Sequence, residues 1–571
     1  MVQMFGDLKR GVVNGKQFII ARFTNGRIFQ TQQNASFLNE QCPKPNGEGF
    51  QINVHASGNQ DHPSVSAFND YEFVCAWTSE RSSTLDDISG QVLRWPYGGA
   101  VYSVGEEFVV NNHTDDVQNK ARLATRFGYD MLAIIFHSDD PNYKGIYGQM
   151  YRYSDNNTPM KQGKEFKIDS GKQFDPKKDT LTLLASTKFV AVWEAKPSEG
   201  SNANIYSQVF NITATEPTKV GTVNVVNDQN EQAYHGDPSI AHLANDMFVV
   251  AYELQIDGQS QKIFGQALDG SNWSTPQKIG AQFEISAQDN KNNNLKSEVI
   301  HIGSDYGFLA TWISEKESTD QMVMAQIYDF DGVSQPTKLG DTFQVSSNAI
   351  TSIKKISVAE LDSSQIFFVY QSIANGWSDI QGSVYSIRSD GRAYRLGQEF
   401  YLNTDIKEQK EHPMIQYLGS NRIIAVWNTI NGDTDSSSVS DIEGQPFVIQ
   451  NNIKPIAAGT LKEQSCSSAN KLNYQFPYNA FEDPDGDQLR YDAYLDDSSP
   501  LPDWITFEGA ERLFKGTPPN EKMQLQITVK ASDVCGEYVT NSFNINLEAS
   551  PSYRVAFSSL LFFFLYISFL F

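Results

Sequence analysis

Short apolar runs ending in an aromatic residue recur along the chain at a nearly constant interval, with polar, turn-rich segments between them. They are FVCAW ending at Trp77, LAIIF at Phe136, FVAVW at Trp193, FVVAY at Tyr252, FLATW at Trp312, FFVY at Tyr370 and IIAVW at Trp427. Each is apolar at every position rather than alternating, which predicts a strand buried on both faces. Before the runs lies a glycine, usually with phenylalanine three residues on, at Gly47, Gly105, Gly163, Gly221, Gly280, Gly340 and Gly397. Successive glycines are 58, 58, 58, 59, 60 and 57 residues apart. After each run comes an Ile-x-Gly-Gln segment, as at Ile88 to Gln91, Ile146 to Gln149, Ile263 to Gln266 and Ile442 to Gln445. Looser copies lie at Ile205 to Gln208, Val323 to Gln326 and Ile380 to Ser383.

A fixed period of this length marks a repeat architecture. Each unit reads as four short strands: a semi-apolar one (Pro63-Ser64-Val65, Pro238-Ser239-Ile240), the apolar run, the Ile-x-Gly-Gln strand and the Gly-x-x-Phe strand. Turns such as Asp269-Gly270, Asp331-Gly332 and Asp390-Gly391 separate them. Four-stranded units in this number close into a β-propeller, so the expectation for residues 1–450 is an all-β propeller of seven or eight blades. An eighth apolar run, Phe18 to Arg22, has no Gly-x-x-Phe partner. The count points to eight blades, the missing outer strand lying upstream of Met1, or to seven with an extra N-terminal piece. The segment Gly145 to Tyr151 followed by Gly163 to Asp169 resembles a repeat of large secreted bacterial and protist surface proteins. That resemblance covers about residues 11–450 and implies an extracellular array without a defined activity.

The pattern changes over 451–549. Phe481-Glu482-Asp483-Pro484-Asp485-Gly486-Asp487, Leu501-Pro502-Asp503-Trp504, Gly516-Thr517-Pro518-Pro519 and Ala531-Ser532-Asp533 follow in order. Together they resemble the dystroglycan-type cadherin-like domain, an Ig-like β-sandwich. The resemblance implies that Trp504 is the buried sandwich tryptophan and Gly516-Thr517-Pro518 a tight turn. Asp483, Asp485 and Asp487 crowd three carboxylates into five residues around Gly486, a set that suits calcium and its many oxygen ligands. By the same resemblance Asp533 joins them, as metal ligands that stiffen a stalk.

Composition narrows the function. A net charge of −23 repels phosphate backbones and makes nucleic acid an unsuitable partner. Four cysteines make no disulfide framework; Cys75 lies in an apolar run and reads as core, while Cys466 and Cys535 share one domain and could pair. The histidines form no metal-ligand spacing, and His62 and His412, each before a proline, read as turn residues. The 550–571 segment ends in a 17-residue apolar run, Val555 to Phe571, without basic residues beyond it. It reads as a GPI-attachment signal or a membrane anchor, although Met1 onward has no export signal. No serine-hydrolase, phosphate-loop or Cys-x-x-Cys motif occurs, so no catalytic residue is assigned. The resulting expectation is a non-enzymatic cell-surface adhesion protein whose propeller binds an extracellular protein or glycan. The alternatives are a carbohydrate-active hydrolase or lyase on a propeller, or a self-associating coat protein.

Overall fold

The computed structural model describes residues 8–548 apart from short segments, of which 32–40 and 431–438 are the longest, and side chains from Cys42 onward. The apolar segment 550–571 lies outside the described residues. The chain divides into two units between Asn452 and Ile453. In the first, six four-stranded antiparallel sheets follow one another over 60–109, 118–167, 174–225, 233–284, 293–344 and 352–401. A seventh contains Gln409–Gly419, Arg422–Ile430 and Ser440–Asn451, and draws its outer edge from the start of the chain. There Gln41–Pro45 and Phe50–Gln51 both pair with Ser440–Asn451. The first strands of neighbouring sheets touch, and Gln409–Gly419 of the seventh touches Gln60–Ala67 of the first. The ring is closed.

The sequence period is therefore offset from the structural one. The Gly47 to Phe50 segment opens the repeat in sequence but completes the last sheet in space. The strand that closes the ring lies inside the chain, and none is needed upstream of Met1. The eighth apolar run sits in Lys16–Arg22, the middle strand of a separate three-stranded sheet with Leu8–Val13 and Ile28–Thr31.

Each motif has a packing reason. The strand-ending aromatics Trp77, Phe136, Trp193, Tyr252 and Tyr370 are fully buried, and Trp312 and Trp427 keep only 3% and 4% exposure. A Cβ on the third-strand glycine would strike the phenylalanine of the outer strand. The approach is 2.7 Å for Gly90 on Phe108 and for Gly148 on Phe166, and 2.6 Å for Gly265 on Phe283 and for Gly444 on Phe50. Glycine and phenylalanine thus recur together because the ring packs against a bare backbone. The glycine of the outer strand has φ between 64 and 71° at Gly105, Gly163, Gly221, Gly280, Gly340 and Gly397, where the outer strand carries two residues more than its partner. The third-strand glutamine fills that slip: Gln91 Nε2 donates to the Val92 and Val104 carbonyls, and Gln208 Nε2 to those of Val209 and Val220.

A further polar residue recurs six positions after each outer-strand glycine: Asn53, Asn111, Asp169, Asn227, Ser286, Ser346 and Asn403. Its side-chain oxygen accepts the N–H that opens the third strand, at Ile442, Ile88, Ile146, Ile205, Ile263, Val323 and Ile380, over 2.8–3.1 Å. Buried backbone donors need such partners. All seven sheets use the same device, and Asn53 serving Ile442 repeats the closure of the ring in its hydrogen bonding.

In the second unit, Gln464–Cys466, Tyr538–Leu547, Met523–Ser532 and Arg490–Leu495 make one sheet; Leu472–Gln475, Leu513–Gly516 and Ile505–Glu508 make the other. Phe514, Ile527, Val529 and Ile545 are completely buried in its core. Three expectations change here. Trp504 is half-buried at the edge of that core rather than its centre, and Gly516 closes a strand rather than a turn. A Cβ on Gly516 would stand 2.0 Å from the Trp504 carbonyl oxygen, so close approach is what this glycine permits. Cys466 is a buried free thiol, which removes its pairing with Cys535.

Candidate functional site

The first strand of each of the seven ring sheets is interrupted at one register position. The ladder shifts between Asp61 and Ser64, Asn119 and Arg122, Lys177 and Thr180, Gly236 and Ser239, Leu295 and Glu298, Ile353 and Ile356, and Glu411 and Met414. The bulged residues are His62, Lys120, Lys178, Asp237, Lys296, Lys354 and His412. All but Lys354 have φ between 47 and 57°, a left-handed conformation that costs free energy away from glycine. Because the first strands line the inside of the ring, neighbouring bulges meet. Lys178 Nζ is 3.7 Å from Asp237 Oδ1, Lys296 Nζ donates to the Lys354 carbonyl at 2.7 Å, and the His62 and His412 rings stack with centroids 4.1 Å apart. Lys120, Lys178, Lys296 and Lys354 are exposed. Sequence reading passed over this ring, although its members are spaced like the repeat, because residue type varies around it.

At four seams the residue after the strand-ending aromatic holds the next bulge. Thr78 Oγ1 accepts the Lys120 N–H, Glu194 Oε2 that of Asp237, Glu253 Oε1 that of Lys296 and Gln371 Oε1 that of His412, over 2.7–3.2 Å. Glu194 and Glu253 thus share a task done elsewhere by neutral groups. Burial, with the charges of Asp237 and Glu194 adding to it, pushes the Glu253 carboxyl up to about 7. Burial and Glu194 likewise push the Tyr234 hydroxyl upward. A separate cleft of about 320 Å³ at the sheet edges is lined by Asn112, His113, Tyr143, Lys164 and Glu165. There Glu165 accepts the Asn112 N–H at 2.8 Å and the Tyr143 hydroxyl.

The four aspartates singled out in the second unit divide three to one. Single oxygens of Asp483, Asp487 and Asp533 all lie within 4.8 Å of one another. Asp485 is not in that group; its Oδ2 accepts the Ile453 N–H at 3.1 Å. Asp483 Oδ1 accepts the N–H groups of Asp485 and Asp487 at 3.2 and 3.0 Å, while Gly486 turns the loop at φ 87°. Asp533, buried, accepts from Cys535 and Glu537 at 2.9 Å each. Asp483 Oδ2 is buried without a hydrogen-bond partner. Burial first, then the neighbouring aspartates, push the Asp483 carboxyl up to about 6. Three oxygens from two loops, one already protonating readily, fit a hard cation.

Residues 454–548 match the family described as Putative Ig domain. No curated protein matches the chain. Among solved structures, a protein of unknown function from Dyadobacter fermentans is similar at 11% identity and TM-score 0.40, covering 72% of this chain and 99% of that one. An α-L-arabinanase from Penicillium chrysogenum is similar at 10% identity and TM-score 0.35, covering 71% and 98%. A GH43 endo-arabinanase from Bacillus licheniformis is similar at 11% identity and TM-score 0.28, covering 49% and 95%.

Proposed function

We propose that the ring is a non-enzymatic recognition module that binds an acidic glycan, one carrying carboxylate or sulfate groups, at its circle of bulges. The reading rests on four exposed lysines, Lys120, Lys178, Lys296 and Lys354, at one register position of a chain whose net charge is −23. A local cationic ring on an acidic protein gathers anions that the rest of the surface repels. The carboxylates beside it are committed to the seams between sheets, since Thr78 and Gln371 do for Lys120 and His412 what Glu194 and Glu253 do for Asp237 and Lys296. A panel of neutral, carboxylated and sulfated glycans tests it. Binding is expected for the acidic members alone, weakening as salt rises and in Lys120→Gln/Lys354→Gln. Equal binding by that variant ends the reading.

A second reading, a glycan hydrolase, draws on the carboxyl of Glu253, which at about 7 stands in the range of a general acid, with Glu194 and Asp237 beside it. Release of new reducing ends from a polysaccharide, abolished in Glu253→Gln, would replace recognition with catalysis. For the second unit the proposal is a calcium-stiffened stalk, with Asp483, Asp487 and Asp533 as ligands and Asp485 shaping the loop. Cell-surface attachment through 550–571 completes it; phospholipase C release of the protein from cells distinguishes a lipid anchor from a spanning segment.

A further inference from the structure

The seam where the first and seventh sheets meet differs from every other. Elsewhere the bulged residue is lysine in four sheets and aspartate in one; only the two sheets that adjoin across the closure carry histidine, each followed by proline at Pro63 and Pro413. Between the two rings stands Asp61, its Oδ2 2.9 Å from His62 Nδ1 and its Oδ1 3.0 Å from His412 Nδ1. These ligand-type atoms lie within 4.8 Å of one another. We propose that Asp61, His62 and His412 form a binding site for a divalent transition metal, zinc by the chemistry of its donors, that clasps the two ends of the ring. The proposal does not depend on the glycan reading.

Two imidazole nitrogens and one carboxylate are the ligands of borderline metals such as Zn²⁺ rather than of calcium, which takes six or more oxygens. Zinc bonds of about 2.0–2.1 Å put neighbouring ligands of a tetrahedral ion about 3.4 Å apart, so Asp61 and the histidines need only small movements to admit one. The competing account is a hydrogen-bonded cluster with no metal: the Asn428 amide nitrogen donates towards His412 Nδ1 and the Glu411 carbonyl at 3.0 Å and towards Asp61 Oδ1 at 3.2 Å, and both histidines bond to one aspartate. Histidine is not required to form the bulge, since Lys120, Lys178, Lys296 and Asp237 adopt the same left-handed conformation. Its presence at this one seam is chemical rather than conformational.

Cobalt titration of the full chain, followed by visible absorption, separates the accounts, with Co²⁺ as the spectroscopic probe of a zinc site. About one equivalent is expected to bind with the intense band of a four-coordinate ion, to be displaced by Zn²⁺, and to raise the melting temperature. His62→Lys and His412→Lys install the residue that other sheets carry there, so the fold is kept while affinity falls at least roughly tenfold. Asp483→Asn leaves the band unchanged, which separates this site from the acidic cluster of the second unit. An unaltered band in both lysine variants overturns the proposal, as does the absence of any band in the native chain.

Discussion

Replacing Glu253 by glutamine gives a sharp test of why carboxylates line the seams. Glu253 keeps only 5% of its surface and stands beside Asp237 and Glu194, and its carboxyl is pushed from 4.5 up to about 7. A carboxyl whose folded value is raised binds its proton more tightly in the folded chain than in the unfolded one. Its penalty is therefore absent below pH 4.5, grows as pH rises, and is complete above about 7. The shift corresponds to at most about 3 kcal/mol, and its sharing with neighbouring acids argues for a measured effect of about 1–2 kcal/mol. Glutamine keeps an oxygen for the Lys296 N–H, as Gln371 does natively for His412. Gln261, which now donates to Glu253 Oε2, needs only to turn its amide. Glu253→Gln should thus stabilise the ring at pH 8 by that amount and make no difference at pH 4.5, read by urea melts at both values. Glu253→Leu fills similar space but leaves the Lys296 N–H unpaired, and should cost about 1–3 kcal/mol at both. A glutamine variant weaker than the native protein at pH 8 would refute the idea that this acid is tolerated at a cost rather than required in its charged form.

Trp193→Ala should cost roughly 3–5 kcal/mol in denaturant melts, since its side chain is wholly buried between sheets. Gly148→Ala should cost about 1–3 kcal/mol, because the added carbon meets the Phe166 ring at 2.7 Å; pairing it with Phe166→Leu should recover part of the loss. Asn227→Ala orphans the buried Ile205 N–H and should cost about 1–3 kcal/mol, whereas Asn227→Ser, the residue other sheets use there, should cost less. For the second unit, calcium should raise the melting temperature at pH 7 but not in Asp533→Ala. Without calcium that unit should gain stability as pH falls through about 6, where Asp483 takes up its proton. An equal response to calcium in Asp533→Ala would remove the metal from the stalk.

What the chain disclosed in advance was whatever leaves a local mark. A strand covered on both sides must be apolar throughout, so FVAVW and its relatives announced buried second strands, and Trp193 is where that rule put it. The pairing of Gly148 with Phe166 was visible as two motifs but not as one contact, since the register that joins them is set by the slip at Gln149. The polar residue six places after each outer glycine was equally legible, as Asn227 and Ser286 show, but its changing identity concealed it. The aspartate loop was readable because Asp483 and Asp487 are close in sequence, whereas the role of Asp485 depended on the backbone of Ile453. His62 and His412 read as turn residues in the sequence, where their contact is not visible. Proximity between the two arises only when the ring shuts; the proline after each marks a shared repeat position but not a contact.

The outer edge of the seventh sheet is made of residues synthesised before the six other sheets, and its partner Ser440–Asn451 emerges some 400 positions later, as the 398-residue span from Gly47 to Gln445 shows. At roughly 5–20 residues per second a ribosome needs about 20–80 s to cover that distance. During that interval Gln41–Pro45 is an unclaimed strand, while the six intervening sheets can already stack on one another as they appear. The circle can therefore close only after all six intervening sheets have emerged, and until then Gln41–Pro45 is an edge without its partner.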